Sequence, residues 1–206
     1  MRVRPVARED IDAVVAAFVS AFAGDPLIGY LFGASHEREA HVREFFRVLL
    51  EVRVSLGMPA LCAEVDGDIL GGAMGYDVTR PTWTGEHLAR WDRLTRDAEG
   101  AAARLSEYGA LADRFEPPRA HYYLGVIGVR ADAMGGGVGR ALLDRFCEES
   151  ARDARSHGVY LETASAASLR FYLRNGFTLR GEGVLGDGTP LWCVFKETGR
   201  GAGALP

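Results

Sequence analysis

The stretch VIGVRADAMGGGVGRALL, residues 126–143, decides the fold. It opens as a β-patterned run, breaks at RADAM, places glycine at 135, 136, 137 and 139, and then enters an apolar helical pattern. Each glycine costs roughly 0.5–1 kcal/mol of chain entropy relative to alanine, so four together are a local liability of about 2–4 kcal/mol. A helix N-terminus carries unpaired N–H groups and partial positive charge, and it takes anions, phosphate above all. A helix with no such guest recruits Asp or Glu into its first turn. Here the first turn holds Arg140 and no acid. Glycines that clear the approach of a diphosphate explain both features.

Other phosphate loops fit less well. A P-loop ends its glycines with Gly-Lys-Ser/Thr, which this run lacks. A dinucleotide fingerprint needs G-x-G-x-x-G at the strand end. Gly137-Val138-Gly139-Arg140-Ala141-Leu142 lacks the third glycine and RADAM intervenes, although Glu162 stands where a ribose-binding acid would.

Outward from this loop the chain reads as mixed α/β. RVRPV is a short strand candidate. From Glu9 to Ala23 the residues Ile11, Val14, Val15, Phe18, Val19 and Phe22 recur at helical spacing, with Asp10 as the expected N-cap and GDP (24–26) as the stop. LIGYLF follows, short and aromatic, and a second helix spans Glu37 to Leu56. Asp66-Gly67 supplies a hairpin turn between two β-runs. Two helical stripes, Leu88-Trp91-Leu94-Ala98 and Leu105-Tyr108-Leu111-Phe115, form an insert closed by EPP. HYYLGVIGV and VYLETA are strands on either side of the glycine-led helix, a parallel crossover. SLRFYLRNGF is a short helix ended by Gly176, and two last strands flank Asp187-Gly188. One domain over residues 1–198 and a disordered tail over 199–206 are the expected organisation.

With 206 residues and a net charge of −4, the chain has no basic face for nucleic acid. Cys62, Cys147 and Cys193 form no C-x-x-C pair and read as buried thiols of a reducing, cytoplasmic compartment. The N-terminal apolar run loosely mimics a secretion signal, but the acids of REDID before it mark an amphipathic helix, and no span reaches membrane length. His36 and His41, five apart, diverge by about 140° on a helix, so no metal site is expected.

VIGVRADAMGGGVGRALL resembles the acyl-CoA-binding motif of the GNAT superfamily of N-acetyltransferases, and LETASAASLRFYLRNGF resembles that family's next motif. AFAGDP and LWC extend the likeness over roughly Arg2 to Lys196, and the layout, with its insert before the glycine-motif strand, resembles puromycin N-acetyltransferase-like members. The resemblance implies a central twisted mixed sheet flanked by helices, acetyl-CoA as co-substrate, and an acetyl group passed by direct attack to an amine. It implies that the backbone of Ile127, Gly128 and Val129 pairs with the pantetheine arm. The amides of Gly135, Gly136, Gly137, Val138, Gly139 and Arg140 would cradle the pyrophosphate. Ser168 stands where the family commonly has an Asn that contacts the cofactor. Tyr172 matches the tyrosine that protonates the departing thiolate and touches the cofactor. Met134 replaces the family's usual Gln or Arg.

The chemistry adds a base, because an ammonium with a pKa of about 10.4 must lose a proton before it attacks. Strand-end amides near Val129 are the expected oxyanion donors. Glu162, at a strand end, is the first choice of base; His121, Tyr122 and Tyr123 are candidates for a water relay. The acceptor is expected to be a small-molecule amine near GDPLIGYLF and the insert. Trp83, Trp91, Tyr108 and Phe115 are a candidate aromatic wall, and Glu86, Asp92 and Glu107 candidate attractors of a cation. Acetylation of a protein N-terminus or lysine, and a non-catalytic acyl-CoA-binding module, are the alternatives. The oligomeric state, a homodimer included, is left open.

Overall fold

A computed structural model of the chain describes residues 1–33, 36–83 and 85–199. Strands β1 (Arg2–Pro5), β2 (Ala60–Val65), β3 (Asp68–Tyr76), β4 (Tyr122–Val129), β5 (Gly158–Thr163), β6 (Thr178–Val184) and β7 (Pro190–Glu197) form one sheet in the order β1-β2-β3-β4-β5-β7-β6. All neighbours are antiparallel except β4 and β5, which run parallel as the crossover requires. Asp66 and Gly67 both take positive φ, 51° and 91°, the geometry of a two-residue hairpin turn.

Helices cover both faces. On one, α1 (Ile11–Ala21), α2 (Pro26–Phe32), α3 (Arg38–Ser55), α4 (Gly85–Asp97) and α5 (Ala101–Asp113) surround a core that includes Phe18, Phe46, Leu50, Met74 and Leu191. On the other, α6 (Val138–Arg152) lays Leu142, Leu143 and Phe146 on Leu61, Ala73, Leu124 and Leu161, and α7 (Ala166–Arg174) packs beside β5. The mixed α/β class and the helical insert before β4 agree with the sequence reading.

Three local features refine the sequence reading. Asp10 does not cap α1 with its side chain; Arg4 of β1 and the Ala7 amide claim its carboxylate instead. LIGYLF is helical, because Asp25 caps α2 by accepting from the Ile28 amide at 3.1 Å and Pro26 starts it. Asp187-Gly188 is part of a longer loop, closed by Leu185 N–H to the Thr189 carbonyl at 2.9 Å, with only Gly188 of the pair at positive φ.

All three cysteines are buried and free. Among the described residues no metal-binding cluster occurs and no single helix is long and apolar enough to cross a membrane. His36 is exposed and His41 partly buried. From residue 200 the expected tail lies outside the described residues.

Candidate active site

A wedge in the sheet creates the site. β4 and β5 pair only at Tyr122↔Val159 and Tyr123↔Tyr160 among the described residues. From Leu124 onward β4 keeps β3 on one side and no strand on the other, while β5 is held along its length by β7. A β-bulge drives the two apart: Met74 faces Val126 and Gly75 faces Leu124, which leaves Gly125 as an extra residue. Gly75 allows the close approach, since a Cβ there would sit 1.9 Å from the Tyr123 carbonyl oxygen. The free side of β4 is an unpaired edge that an extended ligand can join by backbone hydrogen bonds.

Beside that edge lies a cleft of about 630 Å³. Residues 127–129, Gly135, residues 137–140, Ser168 and Tyr172 all line it, and the exposed Met134 does too. Gly136 belongs to the same loop but does not line the cleft. Gly135 and Gly137 hold φ of +83° and +80°, which side-chain-bearing residues adopt at a cost. No side chain caps α6 and its first turn holds no acid. Its first backbone bond runs from Ala141 N–H to the Gly137 carbonyl at 3.0 Å, so the amides of residues 138–140 have no helical acceptor. Arg140 spends one nitrogen on Asp144 (Nε to Oδ2, 2.7 Å) and stays largely exposed.

The second wall is α7. Ser165 caps it by accepting from the Ser168 amide at 3.3 Å, which sets Ser168 in the first turn and Tyr172 one turn later on the same side. Phe171 and Tyr172 are neighbours on α7. Both line the cleft, and Tyr172 is the more buried, 7% exposed and edge-on to Phe171 and Phe177. Burial, with the Asp25 carboxylate nearby, pushes its phenol well above the ordinary value, so it stays protonated at neutral pH. Burial also raises the Asp25 carboxyl. Among the described residues the Tyr172 hydroxyl has no intramolecular hydrogen bond.

Glu162 does not line this cleft. Val159 and Leu161 point to the α6 face, so alternation turns Tyr160 and Glu162 to the α5 face. There the partly buried carboxylate accepts from Tyr108 Oη at 3.2 Å, and Tyr108 Oη lies 3.3 Å from Tyr123 Oη. Burial pushes Glu162 up to about 7, with the surrounding phenols pulling the other way. The wedge thus joins two environments: an uncapped helix N-terminus with a protonated phenol on the α6 face, and a near-neutral carboxylate on the α5 face.

Of the remaining candidates, Tyr123 reaches the Glu162 cluster, whereas Tyr122 packs into the α6-side core. His121 is tied to Glu116 (3.1 Å) and to the Arg119 carbonyl. Trp83 and Trp91 stack edge-on at 5.2 Å against the core, and Phe115 packs on Gly181, so neither the tryptophans nor Phe115 form a wall with Tyr108. Glu107 accepts from Tyr30 Oη at 2.6 Å; Glu86 and Asp92 are solvated. Sequence reasoning missed the roles of Tyr108 and Asp25. Their signals were a hydroxyl within an otherwise apolar stripe and an Asp-Pro helix start.

A model of the acetyltransferase (GNAT) domain family matches residues 99–179, which hold α5, β4, the glycine loop, α6, β5 and α7. A solved structure of histone acetyltransferase HPA2 and related acetyltransferase from Corynebacterium glutamicum is similar at 27% identity and a TM-score of 0.73, over 99% of this chain and 97% of that one. The polyamine N-acetyltransferase of Drosophila melanogaster shares the fold at 19% identity and a TM-score of 0.66, over 95% and 99%. PaiA N-acetyltransferase from Thermoplasma acidophilum, solved with coenzyme A, shares it at 15% identity and a TM-score of 0.59, over 95% and 98%. The glycine loop and the β4–β5 wedge lie inside the segment that matches the GNAT acetyltransferase domain, and the match supports N-acetyltransferase activity.

Proposed function

We propose that the protein moves an acetyl group from acetyl-CoA to the amine of a small molecule by direct attack across the wedge. The observation that carries this is the pairing of an uncapped, acid-free helix N-terminus with a strand edge that has lost its neighbour. Coenzyme A fits both, as a diphosphate followed by an amide-bearing arm. The amides of residues 135–140 would hold the pyrophosphate, with Arg140 adding charge at the rim. Residues 127–129 would hydrogen-bond the arm, and Ser168 would contact it from α7. When bound, the group supplies a thioester, an acyl carbon with a thiolate leaving group.

The chain's own residues then do the proton work. Glu162, poised near neutrality by burial, is half ionised at about pH 7 and takes the proton of the attacking amine, directly or through one water. Amides near Val129 face the developing oxyanion. Tyr172, protonated and without an internal partner, gives its proton to the thiolate. The two groups stand on opposite faces, so acceptor and cofactor enter from opposite sides.

Closure of the acceptor side favours a small amine over a peptide. Leu111 of α5 and Phe115 just after it press on Gly183 and Gly181 of β6, and Glu107 on Gly186, which seats the insert over the β6–β7 hairpin. This covered layout, with its insert before β4, is the ground for reading the chain as puromycin N-acetyltransferase-like. Calorimetric titration with acetyl-CoA, then thiol-release assays on a panel of small amines and N-terminal peptides, tests the proposal. Binding of acetyl-CoA with turnover on small amines is expected. Binding of NAD(P)H in its place, or turnover confined to peptides, overturns it.

A further inference from the structure

Glu162 is surrounded by three phenols, and counting their protons orders them. Each tyrosine hydroxyl has one proton to give. Tyr160 gives its own to the Ala112 carbonyl at 2.9 Å. Tyr108 gives its own to Glu162 Oε2 at 3.2 Å. At the 3.3 Å contact between Tyr108 and Tyr123, Tyr108 therefore accepts and Tyr123 donates. The result is a directed chain, Tyr123 to Tyr108 to Glu162, that runs from β4 through the insert helix to β5 and bridges the strands where their own pairing has ended.

We propose that Tyr108 of α5 is a positioning residue for Glu162. Its hydroxyl fixes one carboxylate oxygen, and seating of the insert helix thereby sets the proton affinity of the base. This rests on the reading of Glu162 as the base. The groups that face Glu162 are Tyr108 from α5, Tyr123 from β4, Tyr160 on its own strand, Cys193 opposite it on β7 and Glu116 after α5. Of these, Tyr108 and Tyr123 belong to the donor chain, while Tyr160 is committed elsewhere and Glu116 disfavours the charge.

A donor to the ionised form favours ionisation, so loss of the Tyr108 hydroxyl raises the affinity of Glu162 for its proton. The test is a carbon-13 NMR titration of the whole protein labelled at glutamate carboxyls, with the Glu162 signal identified by its loss in Glu162→Gln. Tyr108→Phe keeps the ring and should move the midpoint up by about one pH unit, a tenfold gain in proton affinity. Tyr123→Phe removes a second phenol that favours the ionised carboxylate and should move it up as well. Incorporation of 3-fluorotyrosine at position 108, a stronger donor of the same shape, should move it down. With the best amine of the panel, the loss of kcat/KM in Tyr108→Phe should be largest at pH 6 and shrink toward pH 9. A midpoint unchanged in both position-108 variants, or a uniform loss at every pH, overturns the proposal. If Glu162→Gln keeps full turnover, the base reading fails instead, and the NMR midpoints still report whether Tyr108 controls the carboxylate.

Discussion

Gly137→Asp places one charge where the pyrophosphate of the proposed cofactor would sit. Gly137 is the N-cap of α6 at φ +80° and ψ −1°, with nothing within 4 Å of an added Cβ. The cost to the fold is therefore backbone strain alone, about 1–2 kcal/mol for a side chain in this region and less for Asp, which tolerates it. A domain of this size should lose roughly 2–4 °C in Tm per kcal/mol. The cost to binding is much larger. A carboxylate about 4 Å from one phosphate charge at an effective dielectric of 20 repels it by about 4 kcal/mol, close to a thousandfold in Kd. Gly137→Asn separates charge from bulk, since it has the same shape, tolerates positive φ and carries no charge. Calorimetric titration of wild type, Gly137→Asp and Gly137→Asn with coenzyme A, alongside thermal unfolding, reads both quantities. Tight binding to wild type, retention in Asn and loss in Asp is expected. Equal loss in Asn and Asp would show that the space matters and the field does not, and undiminished binding by Asp would refute the cradle.

The remaining expectations follow from the two faces of the wedge. Glu162 binds its proton more tightly in the folded protein than in the unfolded chain, so this group's contribution to stability is present at low pH and is lost as pH rises toward 7. Glu162→Gln should therefore unfold about 2–3 kcal/mol later than wild type at pH 8 and almost level with it at pH 4, by chemical denaturation. The same variant should lose the rise in kcat/KM through pH 7. Tyr172→Phe should keep coenzyme A affinity and the fold, because the hydroxyl has no internal partner, while turnover falls by about a hundredfold or more. At Gly183 an added Cβ would sit 2.6 Å from Leu111 Cδ1, so Gly183→Ala should cost about 1–3 kcal/mol and weaken turnover by lifting α5 away from Glu162. Full activity in a destabilised Gly183→Ala would show that the insert does not support the base.

Much was legible in the sequence because it was written in local terms. The glycine run, the missing acid in the first turn and the hairpin at Asp66-Gly67 each obey rules that act within a few residues, and the structure follows them. Helical periodicity likewise placed α1, α3, the insert and α6, and the β–loop–helix–β order gave the parallel pair. The capping of α2 was also local, but Asp25-Pro26 was read only as the stop of α1 and its role as a helix start was missed.

What needed the tertiary structure was everything that depends on which residues meet from distant parts of the chain. Period-two alternation along β4 would put Leu124 and Val126 on one face, but the extra residue at Gly125 sends Leu124 to the α6 side and Val126 to the α1 side. No local pattern marks that slip, because it arises from how β3 and β4 pack against each other. The opening of β4 from β5, and so the cleft, follows from it. The placement of Glu162 on the opposite face from Tyr172, and its contact with Tyr108 across 54 positions of sequence, was equally beyond reach. A carboxylate's proton affinity is set by burial and by the donors around it, and both exist only once the insert helix has closed on the sheet. Sequence alone determined the fold class and the glycine loop that opens α6, since backbone conformation and helix polarity are short-range properties. The face of the sheet, the wedge and the environment of Glu162 were decided only in the folded chain, where long-range packing chooses among locally equal alternatives.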